Sequence, residues 1–404
     1  MRYLYRKSSI KQERSGNVLK NPEVLVIGAG LGGLNAAIHL QSRGANVRIL
    51  ESADRPGGRV ASDVIDGFIC DRGFQLINAN YPALNELKVI DEIDFLIAPR
   101  VIEVALDADR HLIGDPRKAF LSAFDPSLGT LFEKFSLLTF IFGQTAKSEP
   151  LSDALRRCGS TYERLLRPFL QGVFLTDPKN VDAKYGQQIL RSFVSGSIGI
   201  PKNGVGQLSY ALANRVSNIS YNVQVDRITD GKVHTSDGVL TPDKIVVATD
   251  ATTAAQLLGT GQVPKMAGCI TWYHAVEDNP SGTGRLVVDG QNRGPVINSI
   301  VISDISKNYA PSGSHLVSTT TGLNISESDV RRHLAIIWSV PTHSWQLIAK
   351  YEIPTALPIQ SPGNGLSQEL RFNDQIYVVG DHKMVPSQQG ALFSGRLVSD
   401  LIFN

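Results

Sequence analysis

The pattern of apolar and polar positions divides the chain into segments of two kinds. Val24-Leu25-Val26-Ile27 is a short, continuously apolar, β-branched run, the pattern of a strand buried on both faces of a parallel sheet. A helical stretch follows from Leu34 to Arg43, with apolar residues at Leu34, Ala37, Ile38 and Leu40, and Gly44 stands where a left-handed cap closes a helix. Val47 to Leu50 reads as the next strand. Residues of about 106–195 read as largely helical. Within them Leu131, Phe132, Phe135, Leu137, Leu138, Phe140, Ile141 and Phe142 make a helix that is apolar nearly all round, which predicts a core helix. Ser209 to Val216 reads as another helix. Val223 to Ile228, Gly231 to Thr235 and Ile245 to Thr249 read as strands around an Asp237-Gly238 turn. Several strands are expected over 266–370, where Trp272, Tyr273, Trp338 and Trp345 are core or cavity aromatics. Ile376 to Val379 is a last buried strand before a final helix.

Composition changes this picture only at its edges. At 404 residues the chain exceeds the ~250–300 at which a single core stops growing, so more than one folding unit is expected. No run approaches the ~20 apolar residues of a membrane-spanning helix. Cys70, Cys158 and Cys269 are far apart in sequence, which excludes a cysteine-built metal site and fits a reducing compartment, the cytoplasm or an organelle interior. No metal is expected. A formal net charge of +2 argues against a nucleic-acid binder. Residues 1–20 carry Arg2, Arg6, Lys7, Lys11, Arg14 and Lys20 against Glu13, and read as a basic tail or a targeting arm.

The chemistry is in the glycines. Gly28-Ala29-Gly30-Leu31-Gly32-Gly33 lies between the first strand and its helix, and Glu51 ends the second strand. This βαβ unit carries a dinucleotide fingerprint. Gly28 allows the tight turn, Gly30 lets backbone approach a pyrophosphate, and Gly33 lets helix and strand pack closely. The helix N-terminus offers unpaired N–H groups to phosphate, and Glu51 is placed to accept from a ribose diol. A second glycine pair follows in Gly57-Gly58-Arg59. A nicotinamide cofactor does not call for it, whereas a longer one folded back over the sheet does.

Together these segments resemble the FAD-binding start of the amine oxidase superfamily, which includes monoamine and polyamine oxidases, protoporphyrinogen oxidases and phytoene desaturases. The resemblance implies that Gly58 and Arg59 lie along the flavin phosphate and ribityl region. It also implies that Gly73, Phe74 and Gln75, within Phe68 to Leu76, pass close to the isoalloxazine. Further matching segments are Pro201 to Leu208, Val225 as an adenine contact, and Gly380-Asp381 with Gln389-Gly390-Ala391. There the acid would bind a ribityl hydroxyl and the helix start would face the flavin pyrimidine. Leu166 to Phe174 is similar to a desaturase segment beneath the substrate cavity. Ala29 and Gly32 complete the implied cofactor contacts. No cysteine stands near the C-terminal motif, where some relatives attach their flavin, so FAD is expected to be non-covalent.

The expected architecture is α/β: a Rossmann-type FAD-binding domain (21–105, 196–265, 371–404) interleaved with an α+β substrate domain (106–195, 266–370), behind the 1–20 tail. The expected activity is hydride transfer to flavin N5 from a bulky, largely apolar substrate, a desaturase-like dehydrogenation. A diffusible acceptor such as oxygen or a quinone would then reoxidise the flavin. The alternatives are an amine or porphyrinogen oxidase using oxygen, a redox-neutral flavin-dependent isomerase, and a non-catalytic FAD-binding protein. Lys202 and His382 flank flavin-like motifs as side chains that could touch the ring or substrate. The 131–142 stretch is alternatively the mouth of an apolar tunnel resting on a membrane surface.

Overall fold

The computed structural model describes residues 21–114 and 125–404. In chain order it begins with β1 (Glu23–Ile27), α1 (Leu31–Ser42), β2 (Asn46–Leu50) and two hairpins, β3 (Ser62–Ile65) with β4 (Phe68–Asp71) and β5 (Val101–Leu106) with β6 (Asp109–Gly114). Next come α2 (Leu131–Phe142), α3 (Arg167–Phe174), α4 (Ala183–Ser195), α5 (Gly206–Ala213), β7 (Ile219–Ser220), β8 (Lys244–Val247) and α6 (Ala251–Leu258). The remainder holds β9 (Met266–Val276), β10 (Val287–Asp289), β11 (Val296–Val301), β12 (His315–Thr321), α7 (Glu327–Trp338), β13 (Gln346–Pro358), β14 (Ile376–Val378) and α8 (Gln388–Phe403). The basic 1–20 tail lies outside the described residues.

Two main sheets organise these elements. The first is parallel, in the order β7-β2-β1-β8-β14, with Val24 beside Val47 on one flank and Lys244 on the other. Val24, Val26, Ile245, Val246 and Val247 are fully buried, as expected of strands covered on both faces. The final helix α8 packs on α1, and Asn35 Nδ2 donates to Leu392 O at 2.6 Å. The second sheet is mixed, in the order β13-β9-β12-β11-β10-β5-β6. One face is closed by α7, where Trp272, Trp338 and Trp345 are core residues. On the other face Tyr273 packs with Phe68, Ile300 and Tyr309.

Three expectations need correction. The boundary at 105/106 falls inside β5, which pairs in parallel with β10 of the second sheet. A strand whose partner lies some 180 residues later carries no local sign of which sheet it joins, and β6 then opens a segment expected to be helical. The helix expected at Ser209–Val216 starts at Gly206, because the glycine-rich turn itself supplies its first residues. Helix α2 forms where expected, closed by a Thr130–Glu133 capping box, but it is not a core helix. Leu137, Phe140 and Ile141 face inward, while Leu131, Phe132, Phe135, Leu138 and Phe142 are 51–69% exposed.

Asp71, at the end of β4, ties the β3–β4 hairpin to the start of α5 and to Tyr309. Its Oδ1 accepts from Ser62 Oγ at 2.6 Å and from the Val205 N–H at 3.0 Å, and its Oδ2 accepts from Tyr309 Oη at 2.8 Å. Burial pushes its carboxyl up to about 6, against the lowering effect of these hydrogen bonds. A carboxyl raised above its unfolded value contributes stability at low pH that is lost as pH rises through the folded value. The loss here spans pH ~4 to ~6 and is of order 3 kcal/mol. Asp71→Asn should remove this component, so that the stability difference between variant and wild type shifts across pH 4–6 in urea titrations. A difference independent of pH would contradict it.

Candidate cofactor site

The site is built at the C-terminal edge of the parallel sheet, where ligands of open α/β sheets bind. Beyond β1 the chain turns at Gly28, whose φ of 103° is closed to ordinary side chains. A Cβ on Gly33 would stand 2.0 Å from Gly28 O, whereas one on Gly30 would meet no heavy atom within 4 Å. The turn is thus packed on its inner side and open on its outer side. Helix α1 starts at Leu31 with no side-chain cap, leaving its first N–H groups free to meet an anion.

Glu51, 8% exposed, binds two loops at once. Its Oε2 accepts from the Ala29 N–H at 2.6 Å and its Oε1 from the Ala53 N–H at 2.9 Å. A carboxylate has about four acceptor sites, so capacity for a hydroxyl remains. The Gly57 N–H donates to Ala29 O at 2.8 Å, which sets the second glycine loop, with Gly58, beside the first. Val225 begins a small antiparallel sheet against Ile27 and Leu50, and the nearby Val223 N–H donates to Glu51 O.

Arg59 brings the distant segments together. Its Nη2 lies 2.7 Å from Asp381 Oδ1, and its Nη1 donates to Ala356 O at 2.5 Å. Gln75 Nε2 donates to Arg59 O at 2.7 Å, and Gln388 Nε2 donates to Gln75 Oε1 at 3.2 Å. Desolvation works against the Arg59 charge, but Asp381, and more weakly Asp250, outweigh it and raise its pKa above the ordinary value. Beside this cluster the Phe74 N–H donates to Thr271 Oγ1 at 3.3 Å, which ties the Gly73-Phe74-Gln75 segment to β9. On α8, Gln389 Oε1 accepts from the Ala83 N–H and the Gly390 N–H donates to Ser387 Oγ. Gly32 faces Ala391 O and Gly380, whose N–H is held by Ser394 Oγ.

The two flanking side chains differ. Lys202 is exposed and enters the turn through its backbone, bonded to Asp94 O and Ser306 Oγ; the structure does not gather it into the cluster. His382 is gathered in, with its side chain 7% exposed and Nδ1 4.0 Å from Asp381 Oδ1. Two participants escaped the sequence reading. Asp250 caps α6 through the Thr252 and Thr253 N–H groups, and an acid followed by Ala-Thr-Thr after a strand is a legible cap signal. Gln388 had no such signal, because its partner Gln75 lies 313 residues away.

Comparison with known proteins then decides the family. Residues 31–402 match the model described as flavin containing amine oxidoreductase. The chain belongs to that family. Among relatives, it is 28% identical over 180 residues to hydroxysqualene dehydroxylase of Rhodopseudomonas palustris, covering 42% of this chain and 43% of that protein. It is 43% identical over 76 residues to polyamine oxidase 2 of Arabidopsis thaliana, covering 17% and 16%. The matched segments therefore span less than half the length of these two curated relatives. An oxidoreductase from Methanosarcina mazei superposes with a TM-score of 0.76 at 18% identity, over 94% of this chain and 100% of that one. A fatty acid isomerase from P. acnes gives 0.71 at 17%, over 95% and 99%. At these identities the likeness is one of fold.

The family uses FAD, and the residues present fit it. The outer side of the Gly30 turn is free of side chains, and a free helix N-terminus and an acid stand on either side of it. Among the described residues, His382 Nδ1 and Nε2, in the turn after β14, and Gln388 Oε1 and Gln389 Nε2, in the first turn of α8, are buried polar atoms without hydrogen-bond partners; His382 adjoins Asp381, and Gln388 reaches Arg59 through Gln75. Asp381→Asn, which keeps the shape and removes the charge, should weaken FAD binding by about tenfold or more, since hydrogen bonds to charged groups contribute about 1.5–3 kcal/mol. Fluorescence titration of the apoprotein measures this. An unchanged affinity would remove Asp381 from the site.

Proposed function

We propose that this chain is an oxidoreductase that holds FAD non-covalently and oxidises a bulky, largely apolar substrate. The observation that carries the flavin part is the meeting of Arg59, Gln75, Asp381 and Gln388 beside the open glycine turn. Non-covalent binding is supported by the cysteines. Cys70, Cys158 and Cys269 are free and buried, and burial pushes their thiols up to about 12, 11 and 11, far from the thiolate needed for attachment.

FAD, when bound, supplies the two-electron acceptor that no side chain can provide. The chain's own residues bind and orient it. The α1 N-terminus meets phosphate and Glu51 meets a ribose. Asp381 and Arg59 hold the ribityl and phosphate region. The N-terminus of α8, at Gln389 to Ala391, would turn the positive end of a 16-residue helix toward a bound flavin and favour the negative charge of its reduced form. Reoxidation is assigned to a diffusible acceptor, oxygen or a quinone.

The apolar character of the substrate rests on α2. Leu131, Phe135, Leu138 and Phe142 recur at helical spacing, Phe132 lies beside them, and all five face outward. Monomeric proteins rarely expose contiguous apolar patches of this kind without a use for them. Contact with a lipid surface would cover the stripe and deliver a hydrocarbon substrate. No helix among the described residues is long and apolar enough to cross a membrane.

Anaerobic mixing with a panel of polyenes, amines and porphyrinogens, followed at the flavin absorption band, tests the reading. Bleaching by a polyene in preference to amines is the expected result. Bleaching by amines or porphyrinogens alone would replace it with an amine or porphyrinogen oxidase. Turnover only after prior reduction would indicate an isomerase, and no response at all a binding protein. In the same preparation, Phe135→Ser with Phe142→Ser should keep FAD and thermal stability while losing co-sedimentation with lipid vesicles. Equal sedimentation of variant and wild type would contradict the lipid contact.

A further inference from the structure

His382, like His274 in the second sheet, is a buried histidine with neither ring nitrogen hydrogen-bonded, and it alone of the two adjoins the Arg59–Asp381 pair among the described residues. It follows Asp381 in the turn after β14, with a side chain 7% exposed and no hydrogen-bond partner at either ring nitrogen among the described residues. The ring is pressed onto Gly380: a Cβ there would come within 2.7 Å of both Cε1 and Nδ1, so a side chain at 380 would displace it. The Asp381 carboxylate, 4.0 Å from Nδ1, is too distant for a hydrogen bond. Burial lowers the imidazole pKa, with Lys383 and Arg59 adding to the effect and Asp381 and Asp250 opposing it. Burial thus favours the neutral ring, which has one N–H to give and one lone pair to accept.

A buried imidazole with both functions unmet is costly, and native structures rarely leave one so. The need is not His382's alone. Gln388 Oε1 and Gln389 Nε2, six and seven residues on, are buried and unpartnered too, whereas Gln75, Ser387 and Ser394 around them are bonded. One water could satisfy one such group. A ligand carrying hydroxyl, carbonyl and phosphate oxygens matches a mixture of donors and acceptors spread from the turn after β14 to the first turn of α8.

We propose that His382 is a cofactor-binding residue whose imidazole N–H donates to an oxygen of FAD, held in place by the glycine at 380. The inference rests on the flavin reading above and assigns a specific contact within it. Arg59 and Asp381 then fix the cofactor by charge, and His382 adds a neutral donor.

The test uses full-length apoprotein, wild type, His382→Phe and His382→Gln, titrated with FAD by flavin fluorescence and melted with and without it. Phenylalanine fills the space without a donor, and glutamine restores an N–H. The expected result is an FAD affinity about tenfold lower for His382→Phe and within about threefold of wild type for His382→Gln. The apo melting temperature of His382→Phe should be unchanged or raised, because an unsatisfied polar group has gone. Wild-type affinity in His382→Phe would overturn the proposal. So would a fall in its apo melting temperature with glutamine failing to rescue binding, since that is the signature of a packing role. Wild-type apoprotein that takes up no FAD overturns the flavin reading itself, and the His382 contact with it.

Discussion

The Arg59–Asp381 ion pair, 2.7 Å long, joins positions 322 residues apart at the edge where the parallel sheet ends. Arg59 comes from the loop after β2 and Asp381 from the end of β14, and the β13 backbone takes the second Arg59 bond at Ala356. The pair closes the first and last visits of the chain to this edge over one strip of surface. Its value as a stabiliser is modest, because Arg59 keeps 39% of its side chain exposed and solvent screens the attraction. Its importance is geometric. With the pair formed, Gln75 is bonded to Arg59 and Gln388 to Gln75, so that β14, α8 and the Gly73–Gln75 segment share one register.

That arrangement separates two tasks. The parallel sheet, with α1 and α8 packed together on it, provides a rigid edge with the uncapped N-terminus of α1 and glycine turns. The second sheet stands across from it, with Thr271 of β9 bonded to the Phe74 N–H and Asp71 linking the β3–β4 hairpin to the start of α5 and to Tyr309. Helix α2 lies away from the parallel-sheet core. It gives three residues to the helical core and turns the rest of its apolar surface outward. The cofactor edge and the apolar outer stripe are thereby carried by different elements.

How much of this was legible depended on distance along the chain. The β1–Gly28–α1–β2–Glu51 unit is encoded within some thirty residues, and its strand runs, glycine spacing and terminal acid appear in the structure where the sequence puts them. Gly380-Asp381 and the Gln389-Gly390-Ala391 helix start were legible for the same reason. The sheet membership of β5 was not, because its partner Val287–Asp289 lies far downstream. Nor was the outward face of α2: periodicity shows that a helix is apolar all round, but not how many of its sides the fold will cover. The Gln388–Gln75 bond and the unpartnered His382 ring come from tertiary approach alone.

The most direct test of the account is the flavin itself. Purified protein should be yellow, with about one FAD per chain, and acid precipitation should release all of it to the supernatant. Colourless protein that cannot be reconstituted with FAD would contradict the cofactor site, and flavin retained in the pellet would contradict its non-covalent attachment.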